Sequence, residues 1–142
     1  MSEVLDLAKK SVALTDARDL AGLRGIMSPD VAFWEPAVTL KGVDAVAGYF
    51  ANYATPFPVA TTKIKRWAEG DGTAILECEV SLTHTGTLRT PQGEIPPSGR
   101  TIVLPYCHVV RAEAGRITSL KLYYDQITFL TQLGLMPAPA GA

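Results

Sequence analysis

The chain has 142 residues, of which 47% are hydrophobic and 19% are charged, with a formal net charge of -1. This composition is typical of one folded domain with a buried core and excludes a disordered chain. The acidic and basic residues are scattered, which argues against nucleic acid as a partner, since phosphate binding needs a concentrated basic face. The amino terminus has no signal-peptide pattern, and no apolar run approaches the roughly 20 residues of a membrane helix. We therefore expect a cytoplasmic protein without a membrane partner.

The amino-terminal half has helical periodicity. Residues 2–15 place apolar side chains at helical spacing, and residues 17–27 do so over a shorter stretch, which we expect to end at the segment 28–30, SPD. A short strand over 31–34 follows, and Gly42 then precedes a third predicted helix over 43–53. We expect a single domain over residues 1–136 and a flexible tail over 137–142, PAPAGA.

The second half has the pattern of a β-meander. Predicted strands over 61–68 and 73–84 flank the turn EGDG at 69–72, and strands over 101–111 and 116–125 flank AEAG at 112–115. Helices followed by long antiparallel strands indicate an α+β fold. The strand over 101–111 is apolar on both faces, and the helices of one domain can cover only one of them. We therefore expect the outer sheet face to pack against a second subunit in a homodimer.

These residues resemble the SnoaL-like polyketide cyclase family, within the wider nuclear transport factor 2-like superfamily. The resemblance runs from about Ser28 to Leu135. It rests on the order and spacing of DVAFWEP at 30–36, Gly42, THTG at 83–86, IPPSGR at 95–100, VR at 110–111, GRI at 115–117, Asp125 and QLG at 132–134.

The resemblance implies a cone: a strongly curved antiparallel sheet wrapped around three helices, with a mostly apolar pocket between them. Cyclases of this family close a ring by intramolecular aldol addition, with an acidic residue and without a metal or cofactor. By match to the last strand of the family, that acid here is Asp125. The implied ligand is a small apolar, polyketide-like or polycyclic molecule, and the implied activity is that of a cyclase or isomerase acting through an enolate. A hydroxylase or hydrolase variant on the same fold is a further alternative.

Asp125 has two interpretations from the residues alone. Buried among aromatic side chains, its carboxyl group would have a raised pKa and could act as a general base. Standing directly before the segment 126–128, QIT, it is also a good N-cap for a following helix. The cap interpretation would leave a non-catalytic module that binds a small molecule.

His108 is the second catalytic candidate, because it lies in the strand paired with that of Asp125 and could orient the acid or polarise a carbonyl. A four-residue loop over 112–115 would put His108 and Tyr106 on the Asp125 face. A three-residue loop over 113–115 would put Cys107 and Val109 there instead. Both registers are compatible with glycine at the last loop position.

Aromatic side chains and one more histidine complete the predicted ligand site. As a group they are placed to line a cavity for a flat, apolar ligand, and the tyrosines could donate a hydrogen bond to an enolate oxygen. A loop-anchoring hydrogen bond is the favoured interpretation for His84. Two histidines in different strands fall short of the three or four ligands of a zinc site, so no metal is expected. The predicted substrate-binding residues are Trp34, Phe50, Tyr53, Tyr106, Tyr123 and His84.

Overall fold

The computed structural model of the chain describes residues 3–90 and 93–137. Within them lie four helices: α1 (Glu3–Asp16), α2 (Leu20–Gly25), α3 (Val43–Ala54) and α4 (Gln126–Gln132). The first three confirm the predicted helices to within a few residues. The short α4 is an addition to the three helices expected inside the sheet. Most of the tail predicted for 137–142 lies outside the described residues.

Eight strands accompany the helices, and the elements together confirm the α+β fold class. The long hairpins predicted for the second half are present, and four strands were not predicted or were predicted too short. The strands are β1 (Met27–Glu35), β2 (Val38–Lys41), β3 (Ala60–Gly70), β4 (Thr73–Thr83), β5 (Leu88–Thr90), β6 (Gly93–Ile95), β7 (Thr101–Glu113) and β8 (Arg116–Tyr123).

Six of the strands form one curved sheet in the order β2-β1-β8-β7-β4-β3, and β5 and β6 form a separate hairpin. All neighbours in the large sheet are antiparallel except β1 and β8, which run parallel. The expectation of a purely antiparallel sheet is therefore wrong at this one pair. The parallel pair arises where β1, from the amino-terminal half, extends the edge of the meander beside its last strand, β8.

The segment 28–30 was predicted to end the second helix and to precede a strand over 31–34, but in the structure it lies inside a longer strand. Strand β1 already begins at Met27, and its pairing with β8 shifts register between Met27 and Ala32. An irregularity of this kind tolerates a proline, which cannot donate a ladder hydrogen bond. Pro29 therefore lies within a strand whose pairing is interrupted around it.

The core lies between the sheet and the helices α1 and α3. Helix α1 buries Val4, Leu5, Ala8 and Val12 on one face and packs on the large sheet, as its apolar periodicity predicts. A second apolar cluster around Phe57, Leu88 and Leu133 joins the β5–β6 hairpin and the α4 end to the sheet. Among residues 3–90 and 93–137, no helix is long and apolar enough to cross a membrane.

Candidate active site

A cavity of about 150 Å³ lies between the sheet and the helices α1 and α3. Its wall is largely apolar and contains seven phenylalanine and tyrosine side chains. These are Tyr49, Phe50, Tyr53, Phe57, Tyr106, Tyr124 and Phe129. Three of the predicted ligand residues, Phe50, Tyr53 and Tyr106, are among them.

The inner wall of the cavity is set by the register of the β7–β8 hairpin. The turn consists of two residues, Ala114 and Gly115, both with positive φ, and Glu113 pairs with Arg116. Beyond this turn the pairing shifts by one residue next to Arg111, after which His108 pairs with Leu122. The hairpin therefore uses neither of the two loops expected from the sequence, because a β-bulge supplies the extra residue.

The bulge decides which side chains share a face, since strand side chains alternate. His108, Tyr106 and Leu104 of β7 line the cavity together with the even-numbered residues of the β8 segment. Those residues are Leu120, Leu122 and Tyr124. Cys107 pairs with Tyr123 on the opposite face. The predicted placement of His108 in the pocket is therefore observed, but Asp125 does not accompany it.

His108 lies in the cavity wall and is buried, with 5% of its surface exposed. Neither Nδ1 nor Nε2 has a hydrogen-bond partner among the described residues. Burial lowers the pKa of its imidazole to about 4, because the charged form would lose its hydration. At neutral pH the ring therefore carries one N–H donor and one nitrogen lone pair, and neither is used by the described residues.

Tyr106 lies two residues from His108 on the same face of β7. Its hydroxyl interacts with the thiol of Cys78 and with Thr62, and burial raises its pKa above the ordinary value for a phenol. The pKa of Tyr53 is raised by burial and by the charge of Glu35. These hydroxyls thus remain protonated and can donate hydrogen bonds into an apolar space.

Glu35 is a buried acid that the sequence analysis missed. It is 1% exposed, its Oε2 accepts a hydrogen bond from the Tyr124 hydroxyl at 2.5 Å, and its Oε1 accepts one from the backbone N–H of Ala37 at 3.2 Å. A signal was present in β1, where period two puts Glu35 on the same face as the buried Val31 and Phe33. An acid at such a position needs a partner, and Tyr124 supplies it.

Asp125, the main catalytic candidate from the sequence, does not lie in the cavity. It is the exposed N-cap of α4, where Oδ1 accepts from the N–H of Ile127 at 3.0 Å and Oδ2 accepts from the hydroxyl of Thr128 at 2.7 Å. The hydrogen bond from Thr128, followed by that from Ile127, lowers the carboxyl pKa. The predicted pocket role is corrected accordingly: the carboxylate is tied to the helix that follows it.

Trp34 and Tyr123 are also outside the cavity. Their rings pack against each other with centroids 4.9 Å apart, and Tyr123 is 45% exposed. Both residues are in strand positions that point away from the helices, so the prediction that they bind substrate in the pocket is wrong. They belong to the outer face of the sheet.

His84 anchors a loop, which was the favoured interpretation from the sequence. It is fully buried, and its Nδ1 lies 2.9 Å from the hydroxyl of Ser98 and 3.2 Å from the N–H of that residue. The prediction that His84 binds substrate is therefore corrected, since it is absent from the cavity wall. Among residues 3–90 and 93–137, no group of three or more His, Cys, Asp or Glu side chains is placed to hold a metal ion.

The sequence profile of the SnoaL-like domain matches residues 8–120. Among proteins with curated descriptions, none matches this chain in sequence.

Solved structures of the same fold are numerous. AclR of Streptomyces galilaeus, a candidate hydroxylase, is 20% identical with a TM-score of 0.80, over 96% of this chain and 83% of AclR. A candidate SnoaL-like polyketide cyclase from Jannaschia sp. CCS1 is 13% identical with a TM-score of 0.77, over 93% and 94% of the two chains. TerC, crystallised with polyporic acid, is 18% identical with a TM-score of 0.74, over 94% and 99%. At these identities the likeness establishes the nuclear transport factor 2-like fold.

Proposed function

This chain belongs to the SnoaL-like domain family, and we propose that it is an enzyme. Its cavity binds a small apolar molecule with a carbonyl group, and the protein catalyses proton transfer at a carbon next to that carbonyl. The reaction is of the cyclase or isomerase type, passes through an enolate and uses no cofactor. The observation that carries the proposal is His108: a neutral imidazole without a partner in the wall of an apolar cavity.

The proposed mechanism assigns the base role to His108 in place of Asp125. The lone pair of the imidazole takes a proton from the carbon next to the substrate carbonyl, and the electron pair of the C–H bond moves onto the carbonyl oxygen. The Tyr106 hydroxyl donates a hydrogen bond to that oxygen. The enolate carbon then attacks a second carbonyl or is reprotonated at another position, and the imidazolium returns its proton.

The low basicity of His108 limits which substrates can react. An imidazole with a pKa of about 4 removes protons only from unusually acidic carbon positions. A carbon between two carbonyl groups is such a position, and polyketide-like chains are rich in them. The substrate class proposed is therefore a β-dicarbonyl compound.

The cavity volume also restricts the ligand. Other proteins hold a single benzene ring in a cavity of about 150 Å³, whereas drug-sized ligands occupy roughly 300–1,000 Å³. The cavity of this chain is thus matched to a molecule with one ring. The polycyclic substrate suggested by the family resemblance would require the helices to move away from the sheet.

A second candidate function is a non-catalytic binding module. Its support is that the Asp125 carboxylate caps α4 with a lowered pKa, whereas the open cavity departs from the filled pocket that such a module was expected to have. In that alternative His108 binds the ligand without turning it over. The two functions share the cavity and differ only in whether His108 moves a proton.

We further propose a homodimer formed through the outer sheet face. Ile75, Val103 and Tyr123 are each exposed by 41–45% on this face, beside Trp34 and Cys107. Exposed apolar side chains on an uncovered sheet face support a subunit interface there.

The proposed chemistry is tested in heavy water by deuterium incorporation into 1-phenylbutane-1,3-dione, a β-dicarbonyl compound with one ring. We expect the wild-type protein to accelerate exchange at the carbon between the two carbonyl groups, above the rate in buffer alone. His108→Leu should lose at least a factor of about 100, the lower range for a general base. Asp125→Asn should stay within about twofold of wild type, because its carboxylate caps α4.

Two results would contradict this assignment. Full activity in folded His108→Leu would remove His108 as the base, and a large loss in Asp125→Asn alone would return that role to Asp125. Binding of 1-phenylbutane-1,3-dione without accelerated exchange would favour the non-catalytic module.

A further inference from the structure

The end of α1 contains an arginine in an unfavourable backbone conformation. Arg18 has φ +56°, in the left-handed region where glycine is preferred. Its N–H donates to the carbonyl of Thr15, and the N–H of Asp19 donates to the carbonyl of Leu14, which is the Schellman arrangement of a helix end. A side chain other than that of glycine costs about 1 kcal/mol there.

The conformation directs the Arg18 side chain to the wall of the cavity. The guanidinium is half-buried; one terminal nitrogen donates to the carbonyl of Phe57 and the other to that of Thr15 at 3.4 Å. The Nε is buried and has no hydrogen-bond partner among the described residues. Two of its five N–H groups are thus used, and both face neutral carbonyls.

No anion of the described chain neutralises this cation at close range. Among residues 3–90 and 93–137, Arg18 forms no salt bridge. Asp16 is near enough to act on it electrostatically, but its oxygens accept from the N–H and the hydroxyl of Thr62, both at 2.7 Å. Burial lowers the pKa of the guanidinium, which is the sign of a charge with insufficient solvation.

The cation and His108 lie at different levels of the cavity. Asp16, two residues before Arg18, is bound by Thr62. Thr62 pairs across the sheet with Val80, which pairs with Leu104 of β7. His108 is four residues further along β7 than Leu104. At about 3.3 Å per residue this is about 13 Å, longer than one aromatic ring. A ligand that reaches from Arg18 to His108 would therefore present one chemical group to the arginine and a different one to the histidine.

We propose that the ligand of this cavity is an anion, a one-ring molecule whose carboxylate binds Arg18 while its opposite end points toward His108 and Tyr106. The inference rests on the proposed function for the location of the site and adds the charge of the ligand. Arginine binds carboxylates in a fork geometry, and a half-dry cavity strengthens that contact relative to water.

The test compares benzoate with benzamide, a neutral molecule of the same shape, by isothermal titration of the full chain at pH 7. We expect benzoate to bind at least about tenfold more tightly in the wild type. In Arg18→Gln the preference should fall to about one, with benzamide affinity within twofold of wild type. The Nε–H of Arg18 should also shift downfield in nitrogen-correlated NMR with benzoate and not with benzamide.

A second variant guards against loss of folding in Arg18→Gln. Asparagine tolerates the left-handed conformation, so Arg18→Asn should keep the helix end while removing the cation. A preference for benzoate that survives in either folded variant overturns the inference, as does a wild type that binds benzamide as tightly as benzoate. If benzamide binds, the proposed function stands whatever the result for benzoate. If neither probe binds at millimolar concentration, both this inference and the proposed cavity for a one-ring ligand are contradicted.

Discussion

At the scale of single residues, burial determines which polar groups can do chemistry. His108 and Asp125 were both candidates from the sequence, and their environments in the structure are opposite. The histidine is enclosed with two unpartnered nitrogens, while the aspartate is exposed with its oxygens committed to α4. A group without partners in an apolar wall retains its capacity to bind a ligand, so His108 replaces Asp125 in the mechanism.

The buried histidine makes stability depend on pH. The unfolded chain binds a proton at His108 below pH about 6.5, whereas the folded chain does so only below about 4. Between these values the unfolded state holds more protons, so stability falls as the pH falls. His108 should account for about 3 kcal/mol of loss from pH 7 to pH 4.

Urea unfolding at several pH values checks this, with His108→Leu as the matched variant. The difference in unfolding free energy between wild type and variant should change steadily between pH 6.5 and 4, in favour of the variant at low pH. A difference independent of pH would mean that the imidazole titrates normally in the folded protein.

Tyr124→Phe tests the buried pair formed with Glu35. Removal of the hydroxyl leaves Oε2 of a nearly inaccessible carboxylate without its partner, which should cost about 1–3 kcal/mol. Tyr123→Phe is the matched control, since the neighbouring tyrosine is 45% exposed. Equal stability of the two variants in urea unfolding would show that Glu35 does not depend on Tyr124.

At the scale of elements, the apolar periodicity predicted most helices and strands. It failed where a local irregularity such as a β-bulge sets the strand register. Helices α1 and α3 and the two long hairpins follow from apolar spacing and turn residues. The bulge beside Arg111 was not predictable, because loop length alone does not reveal an extra residue inside a strand. That bulge separates His108 from Asp125, so the main error about the site was an error of register.

Other features of the site had signals in the sequence. The alternation through Val31, Phe33 and Glu35 indicates that the acid faces inward. Arg18 carries no comparable signal, because its role depends on a left-handed backbone that its residue type does not favour. Periodicity predicts that α1 packs on the sheet, but it does not predict that Arg18, just beyond the helix end, reaches the cavity wall.

The short helix α4 depends on its cap. In Asp125→Ala the N–H of Ile127 and the hydroxyl of Thr128 lose their acceptor, so the first turn of α4 should fray. Hydrogen exchange should show faster exchange of the α4 amides with unchanged protection in β7, and a melting temperature lower by a few degrees. Unchanged exchange at Ile127 would contradict the capping role.

At the scale of the whole molecule, one sheet face encloses the cavity and the other exposes Ile75, Val103 and Tyr123. The proposed dimer is tested by sedimentation of the wild type at micromolar concentration, where we expect a dimer. Tyr123→Asp places a charge at the centre of the outer face and should give a monomer. Val59→Asp, also at a strongly exposed apolar residue but before β3, should remain dimeric. A monomeric wild type would overturn the interface.

The most direct test of the central claim is nitrogen NMR of the protein labelled in its histidine rings, recorded at pH 5.5 with and without phenylacetone, a one-ring ketone. We expect His108 to show the two distinct nitrogen shifts of a neutral imidazole, and one of them to move when the ketone is added. His84, whose Nδ1 is held by Ser98, should stay unchanged as an internal reference. The claim is that a neutral histidine facing the ligand is the centre of this site. It would be contradicted by an imidazolium at His108 at this pH, or by His108 nitrogen shifts that do not change when the ketone is added.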